Sequence, residues 1–350
     1  MVKPTARNLR LRGVALAALL ALLGAACFGF VSAAEVTMKT VPYKGWKNNL
    51  QLSNGTVELV MTLDVGPRII RYGFVGEPNV FKEYEAQMGQ AGEAEWQIRG
   101  GHRLWHAPED LKRTYALDNS PIRYEQLSES SVRLIQPVEA ITGIQKEMDV
   151  TLDPSGTRVT VRHRLRNTNL WDVELAPWVL SVMAPGGAAI IPLPGKIPHP
   201  SSVPPGQMAD PAGLQPNQEL VIWPFTDLAD ARWRWGAKYI VLKQDNHKGP
   251  TKIGVALKTG WAGYLRDGYL FVKGIEYQLG RHYPDRGSNF ETFTNQEMLE
   301  VESLGPLERI APGKSIEHTE RWWLFKNIPN DTADAAIDAN IRPRIEAAMK

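Results

Sequence analysis

The residues that could do chemistry concentrate in one segment, residues 97–109, which reads QIRGGHRLWHAPE. Two adjacent glycines allow the backbone to turn sharply and to approach a ligand closely, because they lack a Cβ. Imidazoles can exchange protons, guanidinium groups can hold oxygen atoms, and an indole offers an apolar face to a sugar ring. This mixture favours a site for a polar organic ligand over one for a nucleotide or a metal ion. The residues concerned are Arg99, His102, Arg103, Trp105 and His106.

A second candidate is the glutamate pair in the segment MLEVESL, residues 298–304. Glu300 and Glu302 are two positions apart, so in a strand their side chains point to the same face. If one of them is partly buried, its pKa rises and it becomes a usable base near neutral pH. The alternative interpretation is two exposed glutamates on a solvent-facing strand.

The histidines also allow a metal-site interpretation, which the residues around them disfavour. Histidines at positions 102 and 106 would share a face only if the segment were helical. Two glycines precede them and Pro108 follows, so an extended or irregular segment is expected, and the zinc-protease pattern His-Glu-x-x-His does not occur. We therefore predict no metal. Each histidine is a general acid, a ligand-binding residue or a core residue bonded to backbone carbonyls.

Composition narrows the class of ligand. The chain has eleven tryptophans, and Trp105 and Trp178 adjoin histidine or proline rather than alternating runs. Core packing is one explanation for each of them, but the excess favours a carbohydrate, whose C–H faces stack on aromatic rings. The sequence contains neither a Gly-x-Ser-x-Gly elbow, nor a phosphate-binding loop, nor a dinucleotide fingerprint, so we predict no cofactor.

The N-terminal residues form a predicted signal peptide, residues 1–34. A basic start is followed by an apolar run from Val14 to Val31 and by the small residues Ser32-Ala33-Ala34. We therefore expect a periplasmic or secreted protein without a transmembrane span. Lipidation at Cys27, the single cysteine, is a minor alternative.

The charge of the chain bears on its partners. Four of the 40 basic residues lie in residues 1–34, which leaves 36 basic against 38 acidic residues and changes the net charge from +2 to −2. Such a chain has no electrostatic footprint for nucleic acid and no basic run for a membrane surface. We expect a saccharide or oligosaccharide as the ligand, and no nucleic acid.

Alternation of apolar and polar residues with a period of two dominates the rest of the chain and predicts strands. Many short strands without βαβ alternation predict an all-β fold, a large antiparallel sandwich or barrel, formed as one domain by residues 35–350. Residues 192–216, rich in proline, are expected to form a long surface loop. A short C-terminal helix is expected over residues 332–349, or two helices because Pro343 interrupts the pattern. The alternating runs are residues 56–63, 148–152, 158–165, 239–243, 252–258, 269–277, 298–304 and 316–325. The turn signal Asp153-Pro154-Ser155-Gly156 joins the second and third of these runs and predicts a hairpin.

The sequence resembles the galactose-mutarotase-like superfamily from Trp46 to about Phe325. Residues 100–109 are similar to the Arg-Gly-Gly…Trp-x-x-Pro segment of hexose-6-phosphate epimerases, and residues 299–302 to the Leu-Glu-Thr-Gln that carries the mutarotase base. Within the superfamily, the chain looks most like an uncharacterised family of exported bacterial proteins. Further likeness rests on Gly66-Pro67-Arg68-Ile69, Ala176-Pro177-Trp178, Pro185-Gly186-Gly187 and Pro312-Gly313.

The resemblance implies a galactose-mutarotase-like β-supersandwich and acid–base opening of an aldose ring. In mutarotases, a glutamate removes the proton of the anomeric hydroxyl while a histidine protonates the ring oxygen. Carried over to this sequence, Glu300 is the base and His102 or His106 the acid. The expected sugar-binding residues are Arg68, Arg99, Arg103, Trp105, Trp178 and Glu302.

One departure from the superfamily leaves two functions open. The segment that holds the acid histidine in mutarotases reads Ala176-Pro177-Trp178 here. The protein is therefore either an aldose 1-epimerase-like isomerase in which His102 or His106 has taken over that role, or a periplasmic carbohydrate-binding protein without turnover. An accessory domain of a polysaccharide-degrading enzyme is a third possibility by fold-level analogy alone. The sequence does not identify the sugar or the oligomeric state.

Overall fold

Antiparallel strands build two large sheets, and helices are few. The computed structural model describes residues 35–350, so the predicted signal peptide and Cys27 lie outside the described residues. Sheet 1 contains eleven strands and sheet 2 contains ten. The predicted all-β fold, a large antiparallel sandwich, is confirmed.

The strand order brings distant parts of the chain together. Sheet 1 consists of β1 (Thr37–Tyr43), β2 (Trp46–Ser53), β3 (Val57–Thr62), β4 (Arg68–Phe74), β5 (Gly101–Ala107), β10 (Val173–Met183), β12 (Leu220–Ile222), β15 (Thr251–Val255), β18 (Phe290–Thr294), β19 (Leu299–Leu304) and β20 (Glu308–Ile310). Sheet 2 consists of β6 (Arg123–Ser128), β7 (Ser131–Ile135), β8 (Ile144–Leu152), β9 (Val159–Asn167), β11 (Ala188–Pro192), β13 (Trp233–Trp235), β14 (Tyr239–Lys243), β16 (Trp261–Arg266), β17 (Tyr269–Ile275) and β21 (Ser315–Phe325). In sheet 1 the order is β1-β2-β3-β4-β5-β10-β19-β18-β15-β12, with β20 also paired to β10; in sheet 2 it is β13-β14-β11-β16-β17-β21-β9-β8-β7-β6.

The hairpin of β8 and β9 shows how the sequence sets local structure. Its strands pair in register from Ile144 with Asn167 to Leu152 with Val159, on either side of the turn Asp153-Pro154-Ser155-Gly156. Gly156 adopts a φ of +72°, a conformation that costs glycine little because it lacks a Cβ. The hairpin was predicted from this turn. Of the other predicted strands, residues 239–243 coincide with β14, whereas the run 252–258 is cut short at the end of β15.

The main core lies between the two sheets, and a second one lies under the C-terminal helices. Side chains such as Leu59 of sheet 1 and Val161 of sheet 2 are fully buried between the sheets. On the other side of sheet 2, Ile337, Ile341 and Ile345 pack against its strands. Ile337 belongs to α2 (Asp334–Asn340), Ile345 belongs to α3 (Arg342–Ala348), and Ile341 lies between them; of the one helix or two that the sequence left open, the structure has two. No helix within residues 35–350 is long and apolar enough to cross a membrane.

The remaining segments are short turns and loops. They include a four-residue helical turn, α1 (Pro284–Gly287), and a 3-10 helix over Glu85–Gln87. Between β11 and β12 the chain forms two further 3-10 helices, Pro200–Ser202 and Pro211–Leu214, in the long loop that was expected there. The first residues of that loop and α3 line a groove of about 720 Å³.

Candidate functional site

Alternation along β5 divides the predicted site between the two faces of sheet 1. Successive side chains of a strand point to opposite faces. His102 contacts His163 of sheet 2, and His106 likewise lies on the side facing sheet 2. Arg103 and Trp105, one position further along in each case, point to the outer face of sheet 1. The two histidines and the arginine–tryptophan pair therefore belong to different environments.

The strand register gathers charged and aromatic side chains on the outer face. Directly paired residues of neighbouring strands share a face. On β10, Leu180 pairs with Arg103 of β5 and with Glu302 of β19, and Glu302 pairs in turn with Glu291 of β18. Two residues along β10, Trp178 pairs with Trp105. We call the resulting group the outer-face cluster; it consists of Arg103, Trp105, Trp178, Lys252, Glu291, Glu300 and Glu302.

Arg103 and Glu300 form one half of the outer-face cluster. The Arg103 Nη2 donates a hydrogen bond to Glu300 Oε1 at 2.9 Å. The guanidinium also lies over two indoles, 4.4 Å from the ring centre of Trp105 and 5.3 Å from that of Trp96. A guanidinium group that stacks on aromatic rings can still donate hydrogen bonds in its own plane. The two indoles therefore hold the guanidinium of Arg103 in a defined orientation.

Lys252 forms the other half of the cluster in a similar way. Its Nζ lies 2.6 Å from Glu291 Oε2 and 3.1 Å from Glu302 Oε2. The indoles of Trp178 and Trp223 flank it, with ring centres at 4.7 and 4.8 Å. Trp178 Nε1 donates to the same Glu302 oxygen at 2.8 Å, so one carboxylate ties the lysine and the indole together.

Three carboxylates share two cations in this cluster, and burial shifts the pKa of two of them, Glu300 and Glu291. Burial raises the pKa of Glu300, and Glu302 adds to the effect while Arg103 opposes it. Burial also raises the pKa of Glu291, against the influence of Lys252. Glu300 is the carboxylate of the three with measurable exposure, at 6%. A carboxylate with a raised pKa is suited to accept and return a proton.

Several buried polar atoms of the outer-face cluster have no hydrogen-bond partner within residues 35–350. They are two nitrogens of Arg103 (Nε and Nη1), Glu302 Oε1 and both oxygens of Glu291, although the ammonium of Lys252 lies beside the latter. At the edge of the cluster, Trp96 Nε1 is also unpaired. Buried polar groups usually find partners, so donors and acceptors left together beside aromatic rings match the hydroxyls of a sugar.

The histidine that contacts sheet 2 belongs to a buried hydrogen-bond network. His163 Nδ1 lies 3.1 Å from the backbone oxygen of His318, which can only accept, so His163 Nδ1 carries the proton. Its Nε2 must then accept from His102 Nε2 at 2.8 Å, and His102 Nδ1 accepts from the Ser181 hydroxyl. Burial lowers the pKa of His163 to about 3 and that of His318 to about 4, so these imidazoles are neutral at pH 7. We call this group the inter-sheet network; it consists of His102, His163, Ser181, Lys273, Ser303, His318 and Glu320.

Three members of the inter-sheet network have the geometry of metal ligands. The ligand atoms of His102, His163 and Glu320 lie within 4.8 Å of one another. However, the Lys273 ammonium already lies 2.7 Å from Glu320 Oε1, and the imidazole nitrogens are paired with each other. The ammonium ion beside the carboxylate disfavours a second cation, so the donor set fits a hydrogen-bond network better than a metal site.

His106 belongs to a separate cluster near the end of the inter-sheet layer. Its Nε2 lies 3.4 Å from Glu139, and the same carboxylate pairs with Lys146. Burial acts to raise the pKa of Glu139, but Lys146 and His106 outweigh it and hold the value at about 2. We call His106, Glu139 and Lys146 the edge cluster.

Arg68 and Arg99 hold the glycine segment rather than reaching into open space. Arg68 Nη1 donates to the backbone oxygens of Ile98 and Gly100 at 2.8 and 2.6 Å, and its Nη2 pairs with Asp118. Arg99 Nη2 binds Glu93 at 2.6 Å. Both side chains are fully buried. The hydrogen bonds of Arg68 therefore fasten the segments on either side of β5 to sheet 1, and the Arg99–Glu93 pair joins two parts of the segment before β5.

The structure thus divides the predicted site residues. Five of them lie together on the outer face, namely Arg103, Trp105, Trp178, Glu300 and Glu302. Of the other four, His102 lies in the inter-sheet network and His106 in the edge cluster, while Arg68 and Arg99 hold the glycine segment; Arg68 pairs with Arg103 and so shares its face of sheet 1. No binding or activity measurement tests these roles, and they stay predictions.

Sequence reasoning missed the partners that complete the outer-face cluster. Lys252 and Glu291 stand in ordinary alternating strands, and Trp96 and Trp223 in loops. The only signal for the first two was a charged residue in a strand, at a position that alternates with core side chains such as Ile253 and Phe290. That signal identifies a paired charge but not its partner.

Comparison with known proteins supports the fold. No protein-family model matches the chain, and no curated protein matches it in sequence. Its structure is similar to the Slr1438 protein of Synechocystis sp. PCC 6803, with a TM-score of 0.51 and 10% identity over 83% of this chain and 100% of that one. It is also similar to a galactose mutarotase related enzyme of Lactobacillus acidophilus, with a TM-score of 0.50 and 8% identity over 81% of this chain and 99% of that one.

A further similar structure comes from a longer protein. A TPR-domain containing protein of Parabacteroides distasonis has a TM-score of 0.52 and 13% identity over 81% of this chain and 48% of that one, so the chain spans about half of its length. At such identities, structural similarity speaks for the fold and not for the activity. The described residues have the galactose-mutarotase-like fold, as the sequence resemblance implied.

Proposed function

We propose that the protein is an exported carbohydrate-active enzyme of the aldose mutarotase or epimerase type, with Glu300 as its general base. The observation that carries this proposal is the position of Glu300: a largely buried carboxylate with a raised pKa, bound to Arg103 beside indole rings on the outer face of sheet 1. The similarity of the fold to an enzyme named as related to galactose mutarotase supports the same class of reaction.

In the proposed reaction, Glu300 accepts the proton of the anomeric hydroxyl of a bound aldose. The bond between the anomeric carbon and the ring oxygen breaks as the ring oxygen is protonated, and the open chain rotates about the next carbon–carbon bond. Ring closure reverses both proton transfers and gives the other anomer. The free Nε and Nη1 of Arg103 can bind sugar hydroxyls and orient the anomeric centre toward Glu300.

The proton donor of this reaction has to reach the same face of sheet 1 as Glu300. His102 and His106 point to the opposite face, where both are buried; His102 is hydrogen-bonded to His163, and His106 Nε2 lies 3.4 Å from Glu139. On the outer face, Lys252 carries a proton at neutral pH because Glu291 and Glu302 raise its pKa against the effect of burial. Burial, together with Glu297 and Glu300, raises the pKa of Tyr84, which keeps its hydroxyl protonated as well. Lys252 and Tyr84 are therefore the candidate proton donors to the ring oxygen.

A non-catalytic carbohydrate-binding protein is the second candidate function. The orientation of the two histidines favours it, because His102 and His106 both point away from Glu300. In that case the unpaired polar atoms and the indoles of the outer face bind a saccharide without ring opening.

Anomeric exchange measured by saturation-transfer NMR distinguishes the two functions. The mature protein is added to neutral, acidic and phosphorylated aldoses, and the exchange rate between α and β anomers is compared with that of Glu300→Gln. Glu317→Gln serves as the matched control, because Glu317 lies on sheet 2 and pairs with Arg164 at the surface. Faster exchange that is lost only in Glu300→Gln supports the enzyme. Line broadening of a sugar without faster exchange supports the binding protein and contradicts the enzyme.

Export is tested separately from the site. Intact-mass measurement of protein recovered from the periplasm or the medium is expected to give a chain that begins at Glu35. A chain that begins with a lipid-modified Cys27 would support the lipoprotein alternative, and a cytoplasmic chain that retains Met1 would contradict export.

A further inference from the structure

We propose that Lys273 is a positioning residue for Glu300, which it holds in place from the opposite side of sheet 1 through the main chain of β19. Lys273 belongs to β17 of sheet 2 and is fully buried. Its ammonium reaches across the gap between the sheets and donates a hydrogen bond to the backbone oxygen of Val301 at 2.9 Å. Val301 stands directly between Glu300 and Glu302. This inference rests on the proposed role of Glu300.

A polar contact at Ser303 also joins β19 to sheet 2. On the same face of β19, the Ser303 hydroxyl donates to Glu320 Oε1, and His318 Nε2 lies 2.7 Å from it. Glu320 Oε1 also lies 2.7 Å from Lys273 Nζ, so the residue that contacts Val301 and the residue that contacts Ser303 form one buried ion pair. Because side chains alternate along a strand, holding residues 301 and 303 from the inside sets the direction in which residues 300 and 302 point outward.

The ammonium also acts on Glu300 electrostatically. Burial lowers the pKa of Lys273, while Glu320 and, across the sheet, Glu302 and Glu300 raise it. Interaction between charges is mutual, so Lys273 favours the ionised form of Glu300. Loss of the ammonium is therefore expected to raise the pKa of Glu300 as well as to loosen β19.

The charged and titratable groups around Glu300 come from both faces of sheet 1. On the outer face they are Arg103 of β5, Lys252 of β15, Glu291 of β18, Glu302 of β19, and the tyrosines Tyr84 and Tyr115 of neighbouring loops. On the inner face they are Lys273 of β17 and Glu320 of β21. Of the inner groups, Lys273 is the one bonded to the residue next to Glu300.

The chain offers a matched control in the edge cluster. Lys146 is another buried lysine between the sheets, and it pairs with Glu139, which also contacts a histidine. Its strand, β8, lies three positions from β17 in sheet 2. Loss of Lys146 thus removes a buried ammonium of the same kind without removing the hydrogen bond to Val301.

The experiment measures the pKa of Glu300 directly by 13C NMR of the mature protein with labelled glutamate carboxyls, in which Glu300→Gln identifies the resonance. In Lys273→Met the pKa of Glu300 is expected to rise by about 1. Lys273→Arg is expected to restore it, and Lys146→Met to leave it unchanged. Lys273→Met/Glu320→Gln leaves no buried charge unpaired and keeps acceptor and donor atoms at position 320, so it provides the same test if the single variant fails to fold.

Anomeric exchange gives a second readout in the same variants. For Lys273→Met we expect kcat at neutral pH to fall about tenfold with KM changed less than twofold, because the base is displaced while the sugar-binding groups remain. A Glu300 pKa that is the same in folded Lys273 variants as in the wild type, or that moves equally in Lys146→Met, would overturn the positioning role. Absence of exchange in the wild type would instead contradict the proposed function, and the NMR titration would still decide the role of Lys273.

Discussion

Arg103 and Glu300 stand 197 positions apart in the sequence, and a hydrogen bond of 2.9 Å joins them on the outer face of sheet 1. Their strands, β5 and β19, are both neighbours of β10, which brings the two side chains to the same region of the face. Each is nearly fully buried, with exposures of 2% and 6%. Two further nitrogens of the guanidinium have no partner within the described residues, so the pair stabilises the fold and still leaves donors for a ligand.

Removal of Arg103 is expected to destabilise the protein. Arg103→Met leaves the Glu300 carboxylate buried without its partner, and breaking such a pair costs about 3 kcal/mol in the free energy of unfolding. Urea denaturation at pH 7 measures the loss. Arg123→Met, which breaks an exposed pair with Glu125, is the control and is expected to leave the midpoint unchanged. Equal midpoints for the two variants would contradict the buried pair.

Stability is expected to fall on acidification from about pH 6.5 to pH 4. Burial lowers the pKa of His318 to about 4, whereas a histidine in the unfolded chain titrates near pH 6.5. Between these two pH values the unfolded chain binds more protons than the folded protein, so acidification favours unfolding. For His318 alone this corresponds to about 3 kcal/mol, present above pH 6.5 and lost by pH 4. Glu291 and Glu300, whose pKa values are raised, act in the opposite sense.

The measurement is the difference between wild type and His318→Asn in denaturant midpoint as a function of pH. The variant is expected to lose part of the pH dependence between pH 6.5 and 4. Parallel curves for the two proteins would show that His318 does not titrate as the structure indicates.

Trp96 is expected to contribute to saccharide binding. Its indole is only partly buried, stacks with Arg103 and carries an unpaired Nε1, so it offers both a face and a donor to a sugar. We expect Trp96→Ala to weaken binding about tenfold, a loss within the range for one aromatic stacking partner. Isothermal titration calorimetry with the sugar identified by NMR measures the change. Trp171→Ala removes an indole that is 64% exposed on a remote loop, and a comparable loss there would refute the assignment.

Gly100 is expected to tolerate no side chain. Its φ is +91°, and a Cβ at this position would lie 1.9 Å from the backbone oxygen of Lys82. Gly186 has a similar φ of +94° but no atom within 4 Å of such a Cβ. Gly186→Ala therefore measures the free-energy cost of a positive φ for alanine without the cost of a steric clash. Gly100→Ala is expected to lower the free energy of unfolding by at least about 2 kcal/mol more than Gly186→Ala. Similar values in urea denaturation would contradict the close approach of residues 82 and 100.

Local patterns were enough to predict much of the fold. The turn at Asp153–Gly156 and the alternating runs beside it predicted the β8–β9 hairpin, and the C-terminal pattern predicted helix there, with Pro343 leaving one helix or two open. These features depend on residues close together in the sequence, whose backbone preferences act without the rest of the chain. The resemblance of short motifs then led to the galactose-mutarotase-like fold, which the structure confirms.

The composition of the candidate site was decided by the tertiary structure. A period of two in the sequence means that His102 and Arg103 must point to opposite faces of their strand, but it does not say which face a second sheet covers. Only the packing of β5 against sheet 2 puts His102 into the inter-sheet network and leaves Arg103 on the outer face. Likewise, pairing across β10, β18 and β19 brings Arg103, Glu300 and Glu291 onto one face, because strand order depends on long-range packing that no local pattern records.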